Sequence, residues 1–257
     1  MTSSFFLIHP TKCGGTSISK RILETNGYSQ IYCNIFSGYL FNKFLQRNKS
    51  LFYFIIHSSG IVGYIFELFY YLFCVFFYLI NLFKQIPFGL SLNGSFQHYT
   101  FRQWRKIKIL DQNNIYIATV AHPQNRIVSS YFFLGYNKHY SFIDFIKKIK
   151  DGSLINSIKV SPFKKIIQQH LMPITDYLID EEGNIKIDFL LKKESLNSDW
   201  NTCCKKFNFS FSELKKINKT RELTDWKDLY KKHPKASEII KELYVSDFKL
   251  LKYKPIS

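Results

Sequence analysis

The sequence predicts an α/β fold in which a parallel sheet is flanked by helices in three layers. An apolar strand at residues 4–8 leads through a glycine-containing loop into a segment with helical spacing of apolar residues from Ile18 onward. A second strand at Ile115–Val120 is followed by a helix at about residues 124–134. Strands that alternate with helices in this way are typical of parallel sheets covered by helices.

Composition favours a well-packed protein with anionic partners. The chain has 257 residues, of which 46% are hydrophobic, so we expect one domain over residues 1–257 with a full core. The formal net charge is +17, from 36 Lys and Arg against 19 Asp and Glu. Such a surplus suits nucleotides, sulfated or carboxylated glycans, or an acidic membrane face. Basic stretches with interleaved aromatic residues are missing, which disfavours nucleic acid as the partner.

Cysteine usage indicates neither a disulfide framework nor a zinc site. The count of five is odd, two of the residues are adjacent, and no CxxC spacing occurs. We therefore expect no metal and a reducing, cytoplasm-like compartment. The apolar run at Phe5–Ile8 is too short to be a secretory signal, so no N-terminal signal is expected. The cysteines are Cys13, Cys33, Cys74, Cys203 and Cys204.

Three further elements are predicted from local patterns. Residues 96–104 contain a helix start, and Glu242–Tyr253 form a closing helix. Tyr177–Asp180 and Ile185–Leu191 flank a turn that contains Gly183, which predicts a hairpin or a strand edge.

The loop after the first strand is a candidate anion site. A glycine loop between a strand and a helix points backbone N–H groups at the ligand, and the helix dipole adds positive charge. The lysine precedes the two glycines, whereas a Walker A loop places its lysine after the second glycine. The loop residues are Lys12, Cys13, Gly14, Gly15, Thr16 and Ser17.

Two segments resemble motifs of a known enzyme family. Residues 8–17 look like the loop that binds the 5′-phosphosulfate of 3′-phosphoadenosine 5′-phosphosulfate (PAPS) in the glycan-modifying, Golgi-type and bacterial sulfotransferases. Residues 121–131 resemble that family's second signature, Arg-Asp-Pro-x-x-Arg-x-x-Ser-x-Tyr. The resemblance implies a P-loop-NTPase-like sulfotransferase fold, PAPS as co-substrate, and a donor site that includes Lys12 to Ser17.

The resemblance also implies residues for the 3′-phosphate of PAPS. Arg126 and Ser129 match the second signature, and Lys219, Thr220 and Arg221 match a basic loop that closes over the adenosine. Residues 194–199 and 243–253 match two later segments of the family in the same order. The signature's first arginine and aspartate are replaced by Ala121 and His122. Losing that arginine removes a charge-assisted phosphate contact.

One histidine has a context that points to catalysis. Residues 97–104 resemble a bacterial Gln-His-Leu-Thr-x-Arg-x-Leu segment that carries the catalytic histidine, which makes His98 the candidate general base. Lys12 would then stabilise the leaving phosphate. The remaining histidines lack such a context, apart from His122; they are His9, His57, His139, His170 and His233.

A long apolar run interrupts the chain before His98. Between Ile61 and Phe83 only Gly63, Glu67 and Asn81 break an apolar or tyrosyl sequence. Its aliphatic and phenylalanine residues favour bilayer insertion by roughly 6 kcal/mol, whereas the glutamate costs about 3 kcal/mol. A long helix buried in the core is the alternative.

The position of this run restricts how it could meet a membrane. Lys12 and His98 lie on either side of it and must reach one donor, so a single crossing is excluded. We expect an insert at 51–92 that contacts a membrane through residues 51–90 as a hairpin or monotopic anchor. Basic residues on both flanks place the catalytic part on the cytoplasmic side.

The sequence therefore predicts sulfuryl transfer from PAPS to a hydroxyl group. The family comparison suggests a carbohydrate as the acceptor, and the basic charge would suit an acidic glycan. Two alternatives remain: a catalytically inactive, membrane-associated, polyanion-binding relative, and a P-loop nucleotide kinase or hydrolase. The missing Gly-Lys-Ser/Thr sequence counts against the second alternative.

Overall fold

A computed structural model describes residues 5–25, 65, 68, 72, 98–106, 115–159, 161–209, 214 and 225–256. Over these residues the chain is mixed α/β, with a parallel sheet of three strands and flanking helices. The strands lie in the order β1 (Phe5–Ile8), β2 (Ile115–Val120) and β3 (Phe189–Lys192). The predicted parallel sheet and its first two strands are confirmed.

Apart from the helical residues Ile65, Leu68 and Leu72, the described residues form eleven α-helices. They are α1 (Gly15–Thr25), α2 (Phe101–Lys106), α3 (Pro123–Phe133), α4 (Phe142–Lys150), α5 (Ser153–Asn156), α6 (Ser161–Leu171), α7 (Thr175–Leu178), α8 (Leu196–Phe207), α9 (Trp226–Lys232), α10 (Pro234–Leu243) and α11 (Val245–Leu250). Two 3-10 helices span Tyr136–Lys138 and Lys193–Ser195.

The register of the sheet places the ends of all three strands at one edge. Phe5 pairs with Ile115 and Ile8 with Ala118, while β3 continues the sheet through the pair Val120 and Lys192. Because every pair is parallel, the loops that follow β1, β2 and β3 all leave from the same edge. Ligands of open α/β sheets bind at this carboxyl edge.

The described residues form two compact units. The first comprises the segments Met1–Phe41, Phe76–Ala121 and Ile174–Lys219, and it contains the whole sheet. Its core joins strand residues to one face of α1 and of α8. That core comprises Leu7, Ile18, Ile22, Ile117, Leu191, Trp200, Cys203, Cys204 and Leu214. Ile18 and Ile22 lie one helical turn apart, which explains why α1 covers the sheet.

The second unit comprises Asn42–Val75, His122–Pro173 and Thr220–Ser257. It is helical in its described part, and α3 begins with Pro123, which needs no hydrogen bond at the first position of a helix. Its core is rich in aromatic residues. Three buried tyrosines satisfy their hydroxyls by donating to main-chain carbonyl groups; they are Tyr131 to Tyr140, Tyr230 to Gln124 and Tyr244 to Leu171.

The segments around Gly183 were expected to form a hairpin or a strand edge. The strand edge is confirmed, since Phe189–Lys192 is an edge strand of the described sheet, but the two segments do not form a regular hairpin. Residues 175–178 are helical, and a single antiparallel bridge joins Ile179 to Ile185. The turn itself forms, with a φ of 84° at Gly183. Phe189–Lys192 pairs in parallel with β2, and Leu191 is fully buried in the sheet core while the other residues of this strand are partly buried.

The closing helix is also divided. Residues 242–253 were expected to form one helix, but α10 and α11 are separated at Tyr244, whose φ of −114° and ψ of 30° are not helical. The buried Tyr244 side chain reaches the carbonyl of Leu171. This packing interrupts the helical repeat.

The predicted insert at 51–92 lies outside the described residues except at Ile65, Leu68 and Leu72, which are helical and exposed. Within the part of the chain that the structure describes, no helix is both long enough and apolar enough to cross a bilayer. The prediction of one domain over 1–257 with this insert stays a prediction.

Candidate active site

The loop at the end of β1 has the backbone shape of an anion site. The φ angle is 62° at Lys12 and 90° at Gly14, and Cys13 between them is not in the positive range. Such alternation turns successive N–H groups toward one side and creates a concavity for an anion. The N–H of Ser17 donates to the carbonyl of Gly14 at 3.1 Å, which closes the loop onto the first turn of α1.

Lys12 adopts this conformation although it is not glycine. A left-handed backbone costs a residue with a Cβ about 1–2 kcal/mol. Strained backbone of this kind concentrates at functional sites, where the surrounding structure holds it in place. The strain at Lys12 therefore marks the loop as more than a connection between β1 and α1.

Gly15 is required by its contact with His9. A Cβ at Gly15 would lie 2.1 Å from Cδ2 and 2.3 Å from Nε2 of His9, which is shorter than any tolerable contact. His9 is the first residue after β1 and is only 4% exposed. The imidazole thus packs directly on the backbone at the start of α1.

His98 lies beside His9, as the two ring centroids are 4.9 Å apart. Its Nδ1 is 2.7 Å from the main-chain oxygen of His9. A carbonyl oxygen only accepts hydrogen bonds, so Nδ1 carries a proton. In the neutral ring the lone pair is then on Nε2, as a general base requires.

The segment that carries His98 is held by α2. Thr100 and Gln103 form reciprocal bonds, from Gln103 N–H to Thr100 Oγ1 at 3.2 Å and from Thr100 N–H to Gln103 Oε1 at 2.8 Å. This capping box starts the helix two residues after His98. Trp104 is buried and packs edge-on against Phe6 of β1, with centroids 5.2 Å apart. The predicted helix start is confirmed, and it anchors His98 to the first strand.

The His9 imidazole is uncharged near neutral pH. Burial, and then the charges of His98 and Lys12, hold the pKa of His9 well below its ordinary value. Its Nδ1 is buried and makes no hydrogen bond with the described residues. Of the groups in the loop itself, Lys12 therefore brings the positive charge.

A second lysine lies against the loop. A Cβ on Gly14 would lie 3.7 Å from Cγ of Lys193 and 3.2 Å from Cδ2 of Leu196. Lys193 is partly buried, and this burial lowers the pKa of its ammonium group. Cys13 interacts electrostatically with Lys193, and its thiol donates to the carbonyl of Thr11 at 3.4 Å. Thr16 is buried and Ser17 is partly exposed.

The second motif residues lie on α3. Arg126 is 1% exposed, and its guanidinium donates to the carbonyl groups of Met172 at 2.6 Å and Gln169 at 2.9 Å. These bonds give Arg126 a structural role within the second unit. Ser129 is 8% exposed. The predicted contacts of both residues with a 3′-phosphate stay predictions.

His122 is enclosed by aromatic rings. Its Nε2 donates to the carbonyl of Lys254 at 2.9 Å, and the rings of Trp226, Phe248 and Tyr253 surround it at centroid distances of 4.7 to 5.9 Å. These contacts favour a structural turn residue over a substitute for the missing acidic group. Ala121 is fully buried.

The structure brings the 12–17 loop and His98 together. Lys219, Thr220 and Arg221 lie outside the described residues. Sequence reasoning missed His9 and Lys193, although each directly follows the last residue of a strand. That position is a usable signal, since the carboxyl ends of parallel strands converge on ligands.

A family model described as the sulfotransferase family matches residues 89–254, which is more than half of the chain. The chain belongs to the sulfotransferase family. The matched residues of this sulfotransferase include His98 and the whole of α3, and the match begins after the 12–17 loop. Membership supports sulfuryl transfer, which requires a sulfate donor and a hydroxyl acceptor.

Comparisons with curated proteins and with solved structures gave no match. Among the described residues of this sulfotransferase, no group of three or more His, Cys, Asp or Glu could hold a metal ion.

Proposed function

We propose that this protein transfers the sulfuryl group of PAPS to a hydroxyl group of a carbohydrate. The observation that carries the proposal is the hydrogen bond from His98 Nδ1 to the His9 carbonyl, at 2.7 Å. It holds a proton acceptor, His98 Nε2, next to a glycine loop whose backbone is shaped for an anion. Sulfuryl transfer needs such an acceptor and such an anion site.

Each residue has a stated role in this reaction. His98 Nε2 removes the proton of the acceptor hydroxyl while that oxygen bonds to sulfur. The bond from sulfur to the bridging phosphate oxygen breaks, and its electron pair stays on the phosphate. Lys12 and the loop N–H groups stabilise the charge that develops there. The products are a sulfate ester, 3′-phosphoadenosine 5′-phosphate, and a proton on His98.

The loop fits the 5′ end of this donor. A side chain is excluded at Gly15 by the contact with His9 and is disfavoured at Gly14 by its positive φ and by a tight contact with Leu196. Thr16 and Ser17 add hydroxyl donors at the first turn of α1. For the 3′-phosphate we propose Arg126, Ser129, Lys219, Thr220 and Arg221 on the basis of the motif resemblance alone.

A carbohydrate acceptor is supported by the segment around His98 and by charge. Residues 97–104 resemble the catalytic segment of bacterial carbohydrate sulfotransferases. The net charge of +17 attracts acidic glycans over long range at low ionic strength.

Two observations favour a catalytically inactive, membrane-associated, polyanion-binding relative as the second candidate. Ala121 stands where the family signature has arginine, and the remaining signature arginine, Arg126, already donates to two carbonyl groups. Both facts reduce the positive charge that could bind a 3′-phosphate.

Membrane contact through residues 51–90 is a further part of the proposal. It is supported by Ile65, Leu68 and Leu72, which share one side of a helical repeat and are 47%, 60% and 57% exposed. Flotation with anionic vesicles tests it: the protein should float with the vesicles, and a triple Ser variant of these residues should not.

Calorimetry with 3′-phosphoadenosine 5′-phosphate tests the donor. We expect saturable binding. The absence of binding at millimolar ligand would reject the proposed enzymatic activity. Transfer of labelled sulfate from PAPS to a panel of glycans then identifies the acceptor. Binding without transfer would favour the inactive relative, whereas magnesium-dependent turnover of ATP would favour a nucleotide kinase or hydrolase.

A further inference from the structure

We propose that Lys193 is a second lysine of the donor site and binds the 5′-phosphosulfate together with Lys12. This inference rests on the proposed function, since it adds a residue to the same site. It assigns a role to a lysine that the motif comparison does not select.

The position of Lys193 follows from the sheet. β3 ends at Lys192, and its carboxyl end lies at the same edge as that of β1. Lys193 opens the 3-10 helix that leaves this edge. Its side-chain stem lies against Gly14, where an added Cβ would be 3.7 Å from Cγ of Lys193. The lysine thus borders the anion loop although it lies about 180 positions later in the chain.

The turn that carries Lys193 is fixed on both sides. Asp199 on α8 uses one carboxylate oxygen, Oδ2, to accept from the N–H of Lys192 at 2.8 Å and from the hydroxyl of Ser195 at 2.9 Å. Lys192 and Ser195, which flank Lys193 and Glu194, therefore both donate to Oδ2 of Asp199. A lysine on such a turn presents its stem in a defined direction, which reduces the entropy lost when it binds a ligand.

The charge of Lys193 is only partly compensated by the described residues. Among them its ammonium group forms neither a hydrogen bond nor an ion pair within 4.0 Å, and the electrostatic attraction of Cys13 and of the exposed Glu194 is smaller than the opposing effect of burial. Burial disfavours an unpaired cation. It lowers the pKa of Lys193 from the ordinary lysine value of 10.5. An anion in the neighbouring loop would add counter-charge that Cys13 and Glu194 supply only in part.

The chemistry of sulfuryl transfer makes a second cation useful at this place. When the bond between sulfur and the bridging oxygen breaks, the electron pair remains on the 5′-phosphate, which gains negative charge. Lys193 shares that charge with Lys12, and this interaction is stronger in the transition state than in the bound donor.

The test compares the affinities of Lys193→Met and the native protein for two nucleotides. Met keeps the length and the apolar stem but removes the charge. We expect Lys193→Met to lower the affinity for 3′-phosphoadenosine 5′-phosphate by about tenfold or more, which is the effect of losing a charge-assisted hydrogen bond. Binding of adenosine 3′-monophosphate, which lacks the 5′-phosphate, should be unchanged. Lys193→Arg should retain most of the affinity.

Lys205→Met is the matched control, because Lys205 is an exposed lysine of α8 in the same unit. Circular dichroism shows whether each variant is folded, and Lys193→Gln replaces Lys193→Met if the latter is not. If the native protein fails to bind 3′-phosphoadenosine 5′-phosphate, the proposed function itself is rejected. If the native protein binds this nucleotide and Lys193→Met binds it equally well, Lys193 is not a ligand of the 5′ end. The same conclusion follows if Lys193→Met loses affinity for both nucleotides to the same extent.

Discussion

The imidazole of His9 lies directly over the Cα of Gly15, so closely that a methyl group at Gly15 would be 2.1 Å from Cδ2 of the ring. This contact joins the end of β1 to the first residue of α1. The carbonyl of the same histidine accepts the hydrogen bond from His98. One residue therefore sets both the shape of the loop and the orientation of the candidate base.

Gly15→Ala should destabilise the protein and abolish binding of 3′-phosphoadenosine 5′-phosphate. The new methyl group must displace His9, and overpacking of this kind costs about 1–3 kcal/mol or more. Chemical denaturation and calorimetry measure the two effects. Gly183→Ala is the control, because an added Cβ there meets nothing within 4 Å. Its left-handed backbone should cost about 1–2 kcal/mol and leave binding intact. Native-like binding by Gly15→Ala would contradict the role of this contact.

His98→Gln should abolish sulfuryl transfer while nucleotide affinity changes little. Removing a general base lowers turnover by roughly 100- to 10,000-fold. The measurements are labelled-sulfate transfer and calorimetry on the same preparation. The matched control is His139→Gln, since His139 is exposed. Retained transfer in His98→Gln would remove His98 from the mechanism.

Stability should fall as the pH drops below the ordinary histidine pKa of 6.5, owing to His9. The lowered pKa of His9 means that the unfolded chain takes up a proton before the folded one does. The contribution of uncharged His9 to the free energy of unfolding is therefore complete above pH 6.5. It is lost as the pH falls below 6.5, by at most about 1.4 kcal/mol per pH unit.

Thermal unfolding between pH 7.5 and 5.5 checks this expectation. The native protein should lose more stability over that range than His9→Asn, which cannot titrate. Equal pH dependence in the native protein and His9→Asn would show that His9 titrates normally.

Arg126→Met should reduce the free energy of unfolding by about 3 kcal/mol, because two buried carbonyl groups lose a charged donor. Urea denaturation provides the measurement. Arg105→Met is the comparison: Arg105 forms an exposed ion pair with Glu181 at 2.9 Å, which should contribute less than about 1 kcal/mol. Similar losses in the two variants would contradict the structural role of Arg126.

Local patterns predicted β1, β2, α1 and α3 closely, because their apolar periodicity and the residues that bound them are contained in short segments. The β3 strand was predicted as part of a hairpin or of a strand edge, and its parallel pairing with β2 was not predicted. Its pairing partner, β2, is distant in the chain, and a nearby turn at Gly183 gave a competing local signal. Strand propensity and turn-forming residues could not show whether this segment pairs with β2 or across the turn at Gly183.

The candidate site was predicted in part for the same reason. The loop and His98 could be identified because motif resemblance is local. The importance of His9 depends on a carbonyl contact with His98 and on ring packing against Gly15, and the importance of Lys193 depends on the order of strands in the sheet. Such relationships exist only after the chain is folded.

The pairing of β1 with β2 has a consequence for biosynthesis. Phe5 pairs with Ile115, and among the described strands β1 has no other neighbour. A ribosome therefore releases the anion loop long before the strand that supports it, and non-local pairing of this kind is slow. We expect the loop to acquire its nucleotide-binding shape late during synthesis, so nascent chains that end before residue 120 should not be retained on a nucleotide resin.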